Sequence, residues 1–136
     1  MKRHASLGRF LLTLLISSAA WAQGTPLTLA EQHYGAVAYV SGGIGDDERD
    51  EIRAREKDFN LRLLFCERDG TYLANIDVRL TNAKGETVLE AKSVGPFLLA
   101  QLPSGNYAVE VSSNGQRQQG KLSIPPKGRR EGVFRW

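Results

Sequence analysis

The clearest pattern along the chain is an alternation of apolar and polar side chains over residues 72–81. Every second side chain there is apolar, and polar residues stand at most positions between them. The apolar positions are Tyr72, Ala74, Ile76, Val78 and Leu80. A period of two is typical of a strand that buries one face in an antiparallel sheet. We therefore predict a strand over 72–81, bounded by turn-forming residues on both sides.

Shorter apolar stretches, separated by turn-forming residues, recur along the rest of the chain. After residue 60 they lie roughly ten residues apart, which is typical of strands in sandwiches and small barrels. With 72–81 they make seven predicted strands, and one more precedes them at 35–40. The others are predicted at 61–67, 87–92, 97–102, 107–112, 120–124 and 132–136.

Residues 46–58 have the charge order of a helix. Asp46 or Asp47 can cap it, further acids follow in the first turn, where the helix dipole favours them, and arginines come later. Its apolar residues are few: Ile52, Ala54 and the trailing Phe59. A narrow apolar side predicts a surface helix that is attached to the core and does not form its centre.

The N-terminus has the order of a secretory signal peptide. Lys2, Arg3, His4 and Arg9 make the first residues positive. Residues 10–16 are mainly apolar, and small residues then lead to Ala20-Trp21-Ala22. The apolar run is shorter than the roughly 20 residues of a membrane-spanning helix. We predict cleavage between Ala22 and Gln23, and a periplasmic or secreted mature chain without a transmembrane segment.

Removal of the leader changes the charge of the protein. The full chain has 18 Lys and Arg against 15 Asp and Glu, and residues 1–22 hold three of these cations and no acid. The mature chain is therefore formally neutral, which argues against a nucleic-acid partner. We interpret the remaining basic cluster, Lys127, Arg129 and Arg130, as a solvated turn.

The segment 95–109 reads Gly-Pro-Phe-Leu-Leu-Ala-Gln-Leu-Pro-Ser-Gly-Asn-Tyr-Ala-Val. It resembles the G-x-F-x-x-x-L-P-x-G-x-Y-x-V segment of carboxypeptidase regulatory-like domains, and the similarity extends over about residues 60–124. The resemblance implies an all-β fold, a seven-stranded antiparallel immunoglobulin/transthyretin-like sandwich with one N-terminal surface helix. Phe97 and Leu102 would anchor a hairpin in its core, and Tyr107 would return the chain inward. No activity follows from the resemblance.

The layout of the whole chain is similar to that of small exported proteins of Gram-negative bacteria. It consists of a leader, a glycine loop, a charged helix and a sandwich. We divide the chain into a signal peptide (1–22), an N-terminal segment with strand, glycine loop and helix (23–58), and a carboxypeptidase regulatory-like sandwich (59–136).

The loop before the helix is the candidate binding site, formed by Gly42, Gly43, Gly45, Asp46 and Asp47. Glycines before a helix can direct backbone N–H groups at an anion, but the acids place negative charge where a phosphate would bind. A cation is the opposite hypothesis, because carboxylates are calcium ligands. Its ligands would be Asp46, Asp47, Glu48 and Asp50, without the spacing of a calcium loop. The simpler interpretation is a capped helix after a flexible loop.

Few residues of the mature chain could carry catalysis or hold a metal. His33 is its only histidine, so a multi-histidine metal site or a Ser-His-Asp triad would depend on it alone. Cys66 is the only cysteine; it cannot close an internal disulfide, and its apolar neighbours predict burial. We predict no catalytic residue, no metal site and no cofactor.

Three hypotheses about function follow. The leading one is a non-catalytic envelope protein whose sandwich binds another protein or stabilises an assembly, with edge strands that could accept a partner strand. The alternative is a periplasmic module that binds a small ligand or a glycan. Such a module would cluster exposed aromatic residues, and the candidates are Tyr34, Tyr39, Tyr72 and Trp136. The third is an enzyme that uses carboxylates alone, which would need a cleft.

Overall fold

The alternating segment forms a strand that is shorter than predicted. In the computed structural model, which describes residues 29–136, this strand runs over Ile76–Asn82 and buries Ile76, Val78 and Leu80. Before it, Asn75 has a φ of 58° in the left-handed region, which interrupts extended backbone. Tyr72 and Ala74 are exposed. The prediction is therefore confirmed from residue 76 onward and wrong for 72–75.

The described residues form nine strands and one α-helix. The elements in chain order are β1 (Gln32–Tyr34), β2 (Val37–Gly42), α1 (Asp46–Arg55), a 3-10 turn (Glu56–Asp58), β3 (Leu61–Cys66), β4 (Ile76–Asn82), β5 (Thr87–Ser93), β6 (Phe97–Ala100), β7 (Gly105–Ser113), β8 (Gln116–Ile124) and β9 (Arg130–Arg135).

The strands form two sheets. One has the order β1-β2-β6-β3-β9 and the other β5-β4-β7-β8. Neighbouring strands are antiparallel, except that β3 and β9 are parallel and pair Leu61 with Arg130. The two sheets make a mostly-β sandwich, as predicted, and β2 of the N-terminal segment pairs directly with β6.

The prediction of seven antiparallel strands is wrong in its count and in one pairing. Strand β1, which precedes the predicted strand at 35–40, was not predicted, because its three residues give no apolar period and are all exposed. The pairing of β9 follows from chain direction: β8 ends where β3 begins, so a short connection starts β9 beside the start of β3, and Arg130 N–H donates to the Asn60 carbonyl at 2.8 Å.

A single apolar core lies between the sheets. The second sheet contributes alternate residues, such as Val78, Leu80 and Val109, and β3 contributes Leu63 and Phe65. Five of these side chains are at most 2% exposed. With so little solvent contact, the core supplies the hydrophobic stabilisation that the chain cannot obtain from a disulfide.

Helix α1 lies on the outer face of the five-stranded sheet. Its contact with that face is Ile52, which is 1% exposed. Ala54 is exposed, so the expectation that it belongs to the apolar side is wrong. Ile52 belongs to a second apolar cluster outside the main core, which consists of Leu29, Val40, Ile52, Phe59, Phe97 and Leu99. The helix is therefore a surface element with one deeply buried anchor.

The segment 101–104 was expected to close a hairpin, and instead it crosses between the sheets. β6 and β7 belong to different sheets, so the chain must pass from one layer to the other. Leu102 is buried in the main core, whereas Phe97 lies in the second cluster. Asn60 holds the crossing with its side-chain amide, which bonds the Leu102 carbonyl at 2.6 Å and the Leu102 N–H at 2.9 Å.

The connections gather at two ends of the sandwich. The glycine-loop end is formed by residues 43–45, 67–75, 94–96 and 114–115. The opposite end is formed by 35–36, 83–86, 101–104 and 125–129. Helix α1 begins at the glycine-loop end and runs back along the outer face.

Candidate functional site

The glycines of the predicted binding loop allow close packing of backbone against backbone. A Cβ atom on Gly95 would lie 2.4 Å from the carbonyl carbon of Gly42. A Cβ atom on Gly43 would lie 2.5 Å from Cδ2 of Phe97, and Gly43 also has a φ of 103°. A Cβ atom on Gly42 would lie 2.7 Å from the Leu29 side chain. Close packing therefore accounts for Gly42, Gly43 and Gly95 without a ligand.

The loop N–H groups that could have bound a phosphate already bond to a carboxylate. Glu48 Oε1 accepts hydrogen bonds from Gly43 N–H at 3.1 Å and from Ile44 N–H at 3.3 Å. Gly45 is the N-cap residue, and the helix start has no side-chain cap hydrogen bond. The expectation that Asp46 or Asp47 caps the helix is therefore wrong, because Glu48 reaches back to the loop instead.

Three of the four carboxylates proposed as cation ligands are directed to separate partners. Asp46 forms an ion pair with Arg49, and Asp50 forms one with Arg53 at 2.8 Å. Glu48 is bonded to the loop. Within residues 29–136, no group of three or more His, Cys, Asp or Glu side chains could hold a metal ion. The structure thus brings Asp46, Asp47, Glu48 and Asp50 to one helix turn without directing them at one point.

Three exposed apolar side chains lie on adjoining segments at the glycine-loop end, and we call them the apolar patch. They are Ile44 (58% exposed), Val94 (48%) and Tyr72 (47%). Residues 29–136 expose only two other large apolar side chains, Tyr34 and Val133. Single exposed apolar residues are common on any protein, whereas a group on neighbouring loops is typical of a binding surface.

Fixed contacts hold each segment of the apolar patch. The Tyr72 ring packs edge-on against Phe97, with ring centres 5.6 Å apart. The Arg49 guanidinium lies over the Tyr72 ring, 5.4 Å from its centre. Val94 N–H donates to Ser41 Oγ at 3.3 Å. Arg49 also donates to the Gly43 carbonyl at 3.2 Å, beside Ile44. The patch is thus presented by an ordered scaffold.

Acidic residues surround the apolar patch. The segments 44–50 and 67–72 carry six acids and two bases. The acids are Asp46, Asp47, Glu48, Asp50, Glu67 and Asp69, and the bases are Arg49 and Arg68. The backbone N–H of Thr71, which bonds the Asp69 carboxylate at 2.9 Å, lowers the pKa of Asp69. These two segments therefore carry a net negative charge at neutral pH.

The opposite end carries a groove of about 700 Å³, which we call the end groove. The β1–β2 turn forms one wall and the turns at 82–88 and 103–107 form the others. Apolar surface comes from Tyr34, Ala36, Val37, Val88 and Tyr107. A second groove adjoins it and shares Asn82, Ala83, Asn106 and Tyr107.

The charged residues that line these two adjoining grooves are mostly basic. They are three bases and one acid: Lys84, Lys121, Arg130 and Glu86. Lys127 and Arg129, from the predicted basic cluster, lie in the connection just before β9. Arg129 pairs with Glu56 at 3.1 Å. The lining of these two grooves is therefore net basic.

The solvent-facing side of the four-stranded sheet has paired charges. Cross-strand ion pairs join Arg79 to Glu90 at 3.1 Å, Asp77 to Lys92 at 3.7 Å and Glu110 to Arg117 at 3.8 Å. The hydrogen bond that Arg79 donates to the Glu90 carboxylate raises the pKa of Arg79. Each acid already has a basic neighbour, so this face stabilises the sheet pairing and leaves little charge for a ligand.

The four aromatic residues proposed for glycan binding do not form one platform. Tyr34 lies at the opposite end, while Tyr72 lies at the glycine-loop end. Tyr39 donates its hydroxyl to Gln32 at 2.7 Å. Trp136 packs towards Phe65 and donates its indole N–H to the Gln116 carbonyl at 3.0 Å. The dispersal weighs against a stacking surface for a sugar.

The single histidine and the single cysteine within residues 29–136 lie apart. His33 is on the exposed edge strand β1, with Nε2 3.6 Å from a Glu31 carboxylate oxygen. Cys66 is a free thiol, 3% exposed, with Sγ 3.9 Å from the Phe134 carbonyl. The expectation that Cys66 is buried is confirmed.

The sequence patterns missed the apolar patch and the end groove. Ile44, Tyr72 and Val94 are separated by more than twenty residues along the chain, and the periodicity assigned Tyr72 to the buried face of a strand. The one available signal was that Ile44 and Val94 each stand beside a glycine in a turn segment.

Comparison with protein-family models, with curated protein sequences and with solved structures gives no match to this chain. The resemblance to carboxypeptidase regulatory-like domains therefore stays a prediction. Residues 29–136 contain no helix that combines the length and the apolar character needed to cross a membrane.

Proposed function

We propose that this protein is a non-catalytic, exported envelope protein, and that it binds another protein through the apolar patch. The observation that carries the proposal is the grouping of Ile44, Tyr72 and Val94 at one end of a mainly polar surface. Each leaves about half of its side chain in water. Water contact of this kind is unfavourable, and a partner that covers the patch relieves it.

The energy available from the patch suits a binding site of moderate strength. Complete burial of an isoleucine or valine side chain contributes about 1.5–3 kcal/mol. Half of that remains to be gained at each patch residue, and Tyr72 adds an aromatic side chain of the type common in binding hot spots. Because Phe97, Arg49 and Ser41 already order the patch, a partner loses little free energy in fixing it.

The signal-peptide pattern supports the proposal that the protein acts in the bacterial envelope. Cleavage before Gln23 would leave a neutral chain with one buried thiol, which suits an oxidising compartment because the thiol is shielded. N-terminal sequencing of the exported protein tests this part: a first residue other than Gln23 contradicts the assigned cleavage site.

The binding surface can be tested by site-specific photo-crosslinking. A photoreactive amino acid replaces Val94 in the exported protein, and the control places it at Lys92, which is exposed two residues away on the charged face of the sheet. We expect a discrete crosslinked product from position 94, weaker product from position 92, and loss of the product when Ile44→Ser is added. Equal products from both positions, or none from position 94, would contradict the proposal.

A further inference from the structure

We infer that the partner of the apolar patch is a second copy of this protein, whose end groove receives the patch in a head-to-tail contact. The inference rests on the proposed function of the apolar patch as a binding surface. It adds the identity of the partner and the site on that partner.

The first argument is charge complementarity. The segments that carry Ile44 and Tyr72 contain six acids and two bases. Lys84 and Glu86 line the end groove itself, and the adjoining groove adds Lys121 and Arg130, so the two grooves together are net basic. Opposite potentials on two approaching surfaces speed their encounter and select their orientation. The mature chain as a whole is neutral, so no net repulsion between copies opposes the approach.

The second argument is the match of apolar surfaces. The end groove has walls of Tyr34, Ala36, Val37 and Val88, with Tyr107 at the base of the neighbouring strand. Its volume, about 700 Å³, lies in the range of roughly 300–1,000 Å³ that is typical of binding grooves. The side chains that would enter this groove are Ile44 and Val94, which are 58% and 48% exposed.

The third argument is geometric. The patch and the groove lie at opposite ends of one molecule, so a molecule cannot satisfy its own patch. A contact between two different surfaces leaves one patch and one groove free in every complex, and growth can continue. A dimer with twofold symmetry would instead bring patch to patch and acidic residues to acidic residues, which is unfavourable.

A membrane surface is a less suitable occupant. Loops with exposed apolar residues can insert into a bilayer, but anionic lipids favour basic flanking residues. The residues that flank the patch are predominantly acidic, so an anionic surface would repel them.

The test uses the mature chain from Gln23 and two variants with one altered end each. The patch variant carries Ile44→Ser and Val94→Ser, and the groove variant carries Lys84→Glu and Lys121→Glu. All four side chains are exposed, so both variants should fold, and circular dichroism checks this. Sedimentation velocity measures the mass of each protein and of an equimolar mixture.

We expect the average mass of the unaltered protein to rise with concentration and to fall when salt is added. Each variant alone should associate at least about tenfold more weakly. The mixture should form a one-to-one dimer and nothing larger, because it has one intact patch and one intact groove per pair.

Three results would overturn the inference: a monomeric unaltered protein at its highest soluble concentration, a mixture of variants that stays monomeric, or a closed dimer formed by either variant alone. If the inference fails and position 94 still crosslinks to a different protein, the proposed function stands. If position 94 gives no product, both fail.

Discussion

At the scale of the residue, glycine placement explains the loop that the sequence offered as a ligand site. Gly42 and Gly95 bring two chain segments into contact, and a carbon atom on either would overlap its neighbours. Glu48 then takes up the loop N–H groups. The loop is therefore built to pack β2 against the 94–96 turn, and it orders Ile44 and Val94 as a consequence.

The substitution Gly95→Ala tests this close contact. Its Cβ would lie 2.4 Å from the Gly42 backbone, which cannot move without displacing β2. We expect a loss of about 1–3 kcal/mol in the free energy of unfolding, as for other overpacked sites. Denaturant titration measures it. The control is Gly120→Ala, where the nearest atom is 3.5 Å away on Phe134; an equal loss in both variants would contradict the explanation.

Burial of Tyr107 makes the stability of the folded protein depend on pH. Its ring is buried, its hydroxyl donates to the Pro103 carbonyl at 2.7 Å, and burial raises its pKa above the ordinary value of 10.0. The folded protein therefore holds this proton more tightly than the unfolded chain. The stabilisation is complete below about pH 10 and is lost as the pH rises through the folded pKa.

The variant Tyr107→Phe isolates this effect. At neutral pH it should lower the free energy of unfolding by about 1 kcal/mol, through loss of one hydrogen bond. Above about pH 10 its stability should decline less steeply than that of the unaltered protein. Parallel curves of stability against pH from 8 to 11, measured by denaturant titration, would show that Tyr107 is not the responsible group.

At the scale of the element, helix α1 has a single apolar anchor, and its other contacts with the sandwich are polar. Ile52 enters the second apolar cluster, and Glu51 accepts a hydrogen bond from the Leu29 N–H at 2.8 Å. Arg55 donates to the Leu29 carbonyl at 2.6 Å, so the chain before β1 is bound to the helix. The 3-10 turn that follows the helix is attached to the connection before β9 by the Glu56–Arg129 ion pair.

Replacement of Ile52 by alanine should therefore release much of the helix. A cavity of this kind costs about 2–5 kcal/mol, and Ile52 is 1% exposed. The matched control is Ala54→Gln, on the exposed side of the same helix, with an expected change within about 0.5 kcal/mol. Thermal unfolding compares the two variants. A small effect of Ile52→Ala would mean that the polar contacts of Leu29 hold the helix alone.

At the scale of the whole molecule, residues 29–136 carry 15 acids and 15 bases, and these charges are unevenly distributed over the surface. The segments 44–50 and 67–72, which carry Ile44 and Tyr72, are net acidic, and the end groove and its adjoining groove together are lined by three bases and one acid. The sandwich sets this separation, because antiparallel strands return alternate connections to the same end. The head-to-tail contact that we infer depends on this arrangement and on no single residue.

Local patterns were sufficient for most elements. The strands β4, β5 and β7, the helix and its surface position were predictable because their signals, a period of two and an order of charges, lie within a few neighbouring residues. The errors share one cause: they concern contacts between distant segments. The exposed strand β1, the crossing at 101–104 and the parallel pairing of β9 depend on such contacts.

The sequence by itself determined the mostly-β character, the positions of most strands and the one charged helix. It also predicted, through the leader pattern, where the protein acts. Tertiary structure alone decided the apolar patch, since Ile44, Tyr72 and Val94 lie at the same end only when the strands of both sheets are paired. It likewise decided that Glu48, and no external anion, bonds the loop N–H groups. The physical reason is that periodicity records which face of one element is buried, whereas a surface site is a juxtaposition of several elements.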